Sequence, residues 1–121
     1  MIEFPINAWL ATYPDKIFVW NPDGKYLGYP YVNPQTKHYV GPEKIIGRYI
    51  QEVLPSEIGA KVLSVMRVAW LGHQMQICTI QLPLEGVTHK VCIRFFPQDH
   101  IIIGLVNDYK LLNNYSLNSP H

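Results

Sequence analysis

Cysteine is scarce in this chain of 121 residues, charge is sparse and evenly mixed, and no apolar run approaches the length that a bilayer demands. Each shortage excludes something. The two cysteines, Cys78 and Cys92, lie in apolar, strand-like stretches with no CxxC spacing, so they read as small buried hydrophobes and not as a disulfide framework or a metal site. Ten Lys and Arg against nine Asp and Glu leave a formal charge of +1, without a basic stripe for nucleic acid or a polybasic patch for lipid. The longest apolar run is far short of the ~20 residues that span a membrane. The opening segment MIEFPINAWLATYPDK has no basic leader followed by an apolar core. A cytoplasmic, reduced, soluble protein is expected, with no nucleic-acid and no membrane partner.

Catalytic and metal motifs are missing as well. There is no GxSxG, no glycine-rich phosphate loop, and neither HxxxH nor HExxH. The histidines His38, His73, His89, His100 and His121 are scattered over loop, strand edge and tail, so no metal site is expected. Glu52 and Glu57 flank a helix start, where a carboxylate favours the helix N-terminus and stays solvated. No side chain qualifies as a nucleophile with its base, and no catalytic residue is assigned.

What is present suits one domain with its own core. The strongest local signal is VWNPDGKYL, residues 19–27. Asn21 can accept from the backbone two residues on, Pro22 presets φ and Gly24 can take φ > 0, which reads as strand, turn, strand. Strands are expected over about Lys16 to Asn21 and from about Lys25. The stretch from Gly28 to Glu43 is rich in Pro, Gly, Asn and Tyr and reads as loop. Pro42 to Gly47 fits one short helix, and Ala8 to Tyr13, capped by Asn7, fits one or two helical turns. Ile58, Val62, Val65, Met66 and Ala69 recur at the spacing of a helix face, so a long helix is expected from Ser56 to Leu71, ended by Gly72. Three strands follow, about Gln74 to Leu82, Thr88 to Phe96 and His100 to Asn107, joined by tight turns. The order implies an α+β domain with helices on one face of an antiparallel sheet.

The joints between these elements resemble those of the PAS family of sensory domains, and more closely the PAS domains common in cyanobacterial sensor proteins. The likeness runs from Tyr13-Pro14-Asp15-Lys16-Ile17-Phe18 through Asp23-Gly24-Lys25-Tyr26-Leu27, Ile46-Gly47-Arg48 and Glu52-Val53-Leu54-Pro55. It continues in Gln81-Leu82-Pro83, in Arg94 and Pro97, and closes with Val106-Asn107-Asp108. The resemblance implies a five-stranded antiparallel sheet in the order 2-1-5-4-3, residues 14–109 as the PAS domain, 1–13 as an N-terminal segment and 110–121 as a tail. It also implies a sensor or dimerisation module without catalysis of its own. The family's last strand usually ends in aspartate-isoleucine-threonine and leads to an output helix. Here Asp108 is kept and Tyr109-Lys110 follow, so Asp108 is the candidate for signal coupling, in a stand-alone protein or a fragment of a larger sensor. Haem-binding members carry a histidine on the long helix, and none lies between Ser56 and Leu71. The asparagine-cysteine-arginine motif of the flavin photosensors is absent. Neither haem nor flavin is expected, and the cofactor reading is reduced to a small apolar ligand.

Phe18 and Trp20 share a strand face, Met66 and Trp70 lie on or beside the helix stripe, and Ile102 and Val106 share a face of the last strand; these six form the candidate ligand cavity. The last strand, Ile101-Ile102-Ile103-Gly104-Leu105-Val106, is apolar at consecutive positions, so both of its faces want cover. Ile103 and Leu105, with Trp9 and Leu10 from the N-terminal stretch, are the candidate dimer interface. The sequence therefore leads to a sensory module that regulates a partner such as a histidine kinase or a cyclic-nucleotide enzyme, by ligand binding or homodimerisation. Two rivals stand beside it: a small enzyme with an apolar cavity, marked by an ionisable group of perturbed pKa inside it, and a dimerisation adaptor with a solid core.

Overall fold

Residues 14–35, 40–84 and 86–110 are described in the computed structural model of the chain, with side chains as far as Asp108. The N-terminal helical turns expected over Ala8 to Tyr13, with Trp9 and Leu10, and the tail from residue 111 lie outside the described residues. Five strands, β1 Lys16–Trp20, β2 Tyr26–Val32, β3 Gln76–Leu84, β4 Val87–Gln98 and β5 Ile101–Lys110, form one antiparallel sheet in the order β2-β1-β5-β4-β3. A single 3₁₀ turn over Pro42–Lys44 and two helices, α1 Ile50–Val53 and α2 Ser56–Gly72, connect β2 to β3. The α+β architecture and the strand order are those expected from the sequence.

The first hairpin closes through its own turn residues. Asn21 Oδ1 accepts from the backbone N–H groups of Asp23 at 3.0 Å and Lys25 at 2.9 Å, and Gly24 sits at φ +89°. β2 then runs through Gly28 to Val32, a stretch whose composition predicts a loop. Its position explains this. β2 is an edge strand, and its register against β1 slips twice, so that Tyr29 and Pro30 together stand opposite Phe18. Proline in a bulge on an edge strand removes no ladder bond.

The four-residue α1 was not expected from the sequence. Glu52 Oε1 accepts from the Tyr49 N–H at 2.8 Å, and the Ile50 N–H donates to the Gly24 carbonyl at 2.9 Å, which pins this short helix against the hairpin turn. α2 buries Val62, Leu63, Met66 and Ala69, with Ile58 and Val65 packed partly against the same core. It ends one residue later than expected: Gly72 is still helical, and His73 takes the left-handed position at φ 51°. The His73 N–H donates to the Trp70 carbonyl and the Gln74 N–H to that of Ala69, the paired bonds of a Schellman end.

Alternation along β3, β4 and β5 separates the two faces. Cys78, Ile80 and Leu82, then Val91, Ile93 and Phe95, then Ile102 and Val106 all enter the core under the helices. Cys92 lies on the opposite face and is half-buried, so only Cys78 is the fully buried cysteine read from the sequence. Both thiols are free.

Candidate ligand cavity

The face of β1 that meets the core carries Lys16, Phe18 and Trp20, two residues apart each time. Phe18, Trp20 and Tyr26 pack ring against ring with centroids 5.4 to 5.8 Å apart, and Trp20 meets Phe95 at 5.4 Å. The indole of Trp20 reaches across to β5. A Cβ added to Gly104 would stand 2.1 Å from Trp20 Cζ3, so glycine at the centre of that apolar strand is where the ring lies. Between this aromatic wall, the inward residues of β3 to β5 and the helical segment is a cavity of about 60 Å³. Aliphatic side chains such as Ile45, Val62, Ile80 and Ile93 line most of it.

Polar groups break this apolar lining at two places. At one, Tyr26 is 4 % exposed and burial pushes its hydroxyl up to about 12, with the Trp20 side chain acting in the opposite direction, so the phenol keeps its proton. Trp20 Nε1 is near enough for that influence, yet it is buried and has no hydrogen-bond partner among the described residues. At the other, Lys16 is 8 % exposed, and burial lowers its pKa against the opposing pull of Asp108 and then Asp15. His89 Nδ1 and Asp108 Oδ1 lie 2.7 Å apart, both nearly buried, and with Asp108 as the carboxylate the ring nitrogen donates. The Asp108 N–H donates in turn to Asp15 Oδ2 at 2.7 Å. Among the described residues no three His, Cys, Asp or Glu side chains form a metal-binding group, and no helix is long and apolar enough to cross a membrane.

Of the six cavity candidates from the sequence, Phe18, Trp20 and Val106 line the cavity. Met66 and Ile102 are fully buried in the core without being part of its lining, and Trp70 packs half-buried at the core's margin, 5.9 Å from the His73 ring. Asp108, singled out for signal coupling, also lines the cavity. Ile103 and Leu105 lie on the opposite face of β5; Leu105 is 1 % exposed and Ile103 is half-buried. Sequence reasoning missed Lys16, Tyr26 and His89. The signal was alternation: Lys16 has the parity of Phe18 and Trp20, and His89 that of Val91, Ile93 and Phe95.

The sequence matches no protein-family model and no curated protein. Among solved structures, the PAS domain of the RpfR quorum-sensing receptor of Cronobacter turicensis, in complex with BDSF, is similar with a TM-score of 0.62 at 7% identity, covering 80% of this chain and 96% of that one. The same domain with C12:0 is similar at 0.61. The PAS domain of Bordetella pertussis BvgS is similar at 0.52 with 21% identity, covering 85% of this chain and 80% of that one. A domain of an HTR-like protein from Haloarcula marismortui is similar at 0.55 with 18% identity, covering 78% of this chain and 97% of that one. At such identities the likeness is one of fold, and the five-stranded sheet in the order β2-β1-β5-β4-β3, with its helices over one face, is the fold of PAS domains.

Proposed function

We propose that the protein is a PAS-type sensory module that binds a small, largely apolar molecule between sheet and helices and reports its presence to a signalling partner. The observation that carries this reading is the cavity itself, apolar over most of its wall and polar at few points, as ligand sites are. The RpfR PAS domain, similar in fold, is a receptor domain solved with BDSF and with C12:0. Binding would act as a population shift, favouring one packing of the helical segment against the sheet. Asp108 is suited to pass the change on, because one residue joins the cavity wall, through His89, to the start of the domain, through Asp15. The partner in this reading is a second copy of the chain or a signalling enzyme such as a histidine kinase or a cyclic-nucleotide enzyme, in the cytoplasm, and the resemblance of the sequence joints supports a sensor of the cyanobacterial type. Native mass spectrometry of protein purified without denaturation tests the reading: a reproducible mass increment that is lost on unfolding is expected, and a bare polypeptide after exposure to cell extract counts against it.

One observation favours the enzyme reading: Lys16 is an ionisable group inside the cavity whose pKa burial lowers. A buried amine of lowered pKa is the kind of group with which an enzyme would attack a carbonyl substrate. Incubation with short aldehydes and borohydride, followed by peptide mapping, separates the two readings, since selective labelling of Lys16 supports an enzyme and its absence supports a sensor.

A further inference from the structure

Lys16 is out of place for folding. It projects from the core side of β1 in line with Phe18 and Trp20, into a cavity walled mainly by aliphatic and aromatic carbon. Among the described residues no hydrogen bond or salt bridge holds its Nζ. A methionine would fill the same space without desolvating a charge, and buried charges are replaced by well-packed apolar side chains at little or no loss of stability. The group that would compensate Lys16 most simply, Asp108, has its Oδ1 engaged by His89.

Resting on the sensory reading above, we infer that Lys16 is the head-group site of the cavity and that the ligand is a short-chain carboxylate, its carboxylate on Nζ and its hydrocarbon against the aromatic wall. Three features lead to an anion in preference to a neutral head. First, an ammonium offers three donors, and an ionised carboxylate is a stronger acceptor for them than a neutral hydroxyl, with Coulomb attraction added. Second, burial lowers the Lys16 pKa against the pull of Asp108 and then Asp15, so its charged form has lost hydration that neither carboxylate replaces by a hydrogen bond. A ligand carboxylate in direct contact supplies what they do not, since Coulomb attraction falls with distance. Third, His89 holds Asp108 through Nδ1, which reduces the repulsion an incoming anion meets and leaves Nε2 as the ring's second polar atom. The volume sets the length. About 60 Å³ is space for roughly four to six water-sized bodies, so the body that fits without rearrangement is short, and longer chains must displace the wall. Trp20 Nε1 is a second buried donor in the aromatic wall, beside the Tyr26 hydroxyl.

The test compares acid with alcohol of equal length. Butanoate, hexanoate and octanoate, and the matching primary alcohols, are titrated into the full chain and followed by protein NMR and calorimetry. The acids are expected to bind on the order of tenfold more tightly than the alcohols, the difference between a charged and a neutral acceptor on Nζ. Lys16→Met should abolish that preference while alcohol binding persists, and Lys16→Arg should restore part of it. Equal affinity of acid and alcohol for the unmodified protein, which requires no variant to fold, overturns the head-group assignment and leaves the sensory reading standing. A preference that survives Lys16→Met also overturns it. Failure of every acid and every alcohol to bind overturns the cavity reading and the inference together.

Discussion

Tyr26 and Lys16 are both buried against the same cavity, and burial acts on them with opposite sign. The Tyr26 phenol is neutral when protonated, so burial raises its pKa from 10.0 to about 12. Between those limits the unfolded chain has lost the proton and the folded chain keeps it, so ionisation favours unfolding and stability falls as pH rises from 10 towards 12. The loss amounts to about 2 to 3 kcal/mol once both limits are passed. Tyr26→Phe should flatten that alkaline limb in urea melts recorded across the range. Lys16 is charged when protonated, and burial lowers its pKa below the ordinary 10.5. Its unfolded form therefore binds the proton more tightly, which destabilises the fold at neutral pH and ceases to do so as pH rises to the ordinary lysine range. Lys16→Met should raise Tm at pH 7, and the gain should shrink as pH approaches 10.5. A fall in Tm at pH 7 would mean that the ammonium is held by more than the two carboxylates.

The elements divide by how locally they are determined. The β1–β2 turn was legible because each of its residues acts on its neighbours: Asn21 accepts from Asp23 and Lys25, and Gly24 takes the left-handed region. The stripe of α2 was legible for the same reason, since Val62, Met66 and Ala69 lie on one helix face wherever the helix packs. β2 beyond Gly28 was not, because Pro30 is tolerated only by virtue of an edge position and a bulge that depend on β1. Nor was α1, whose Ile50 is pinned by Gly24 more than twenty positions earlier. In the cavity, the aromatic wall could be read from apolar type, whereas Lys16 and His89 could be found only by strand parity against chemical type. Gly104 belongs with these non-local cases, and it carries a prediction. Its φ is ordinary for a strand, so alanine there meets no backbone strain; what it meets is the Trp20 ring, at 2.1 Å from Cζ3 and 2.6 Å from Cη2. Gly104→Ala should therefore cost about 1 to 3 kcal/mol by overpacking, and should change the emission of Trp20 as the indole is pushed from its place. Gly24→Ala fails for another reason, a left-handed φ of +89° combined with a Cβ 2.9 Å from Leu63 Cδ1. It should cost a comparable amount while leaving Trp20 emission alone.

At the scale of the whole molecule, the helices cover one face of the sheet and leave the other to be accounted for. On that second face, the register sets Ile17 against Leu105 and Val19 against Ile103, with Cys92 and Phe96 beside them on β4. Arg94 and Asn107 interrupt this apolar surface, joined by a 2.7 Å bond from Nη2 to Oδ1. Leu105 is buried within the chain itself at 1 % exposure, so it can add little contact area to an interface, whereas Ile103 is half-buried and retains surface to offer. The assembly reading, a two-fold dimer through this face, therefore rests on Ile103 and its neighbours more than on Leu105, and its other candidates, Trp9 and Leu10, lie outside the described residues. Ile103→Glu is the variant that tests it. A glutamate at Ile103 would stand at the surface of a free monomer, where hydration is available, but would carry an unpaired charge into a closed dimer, at a cost of several kcal/mol. Since about 1.4 kcal/mol is tenfold in affinity, association should weaken by on the order of a hundredfold or more, while Tm of the monomer changes little. Sedimentation velocity at about 100 μM, where micromolar association is fully visible, should show the unmodified chain as a dimer and Ile103→Glu as a monomer. An unmodified chain that sediments as a monomer at that concentration would remove the dimer and assign cover of this face to the chain's own residues.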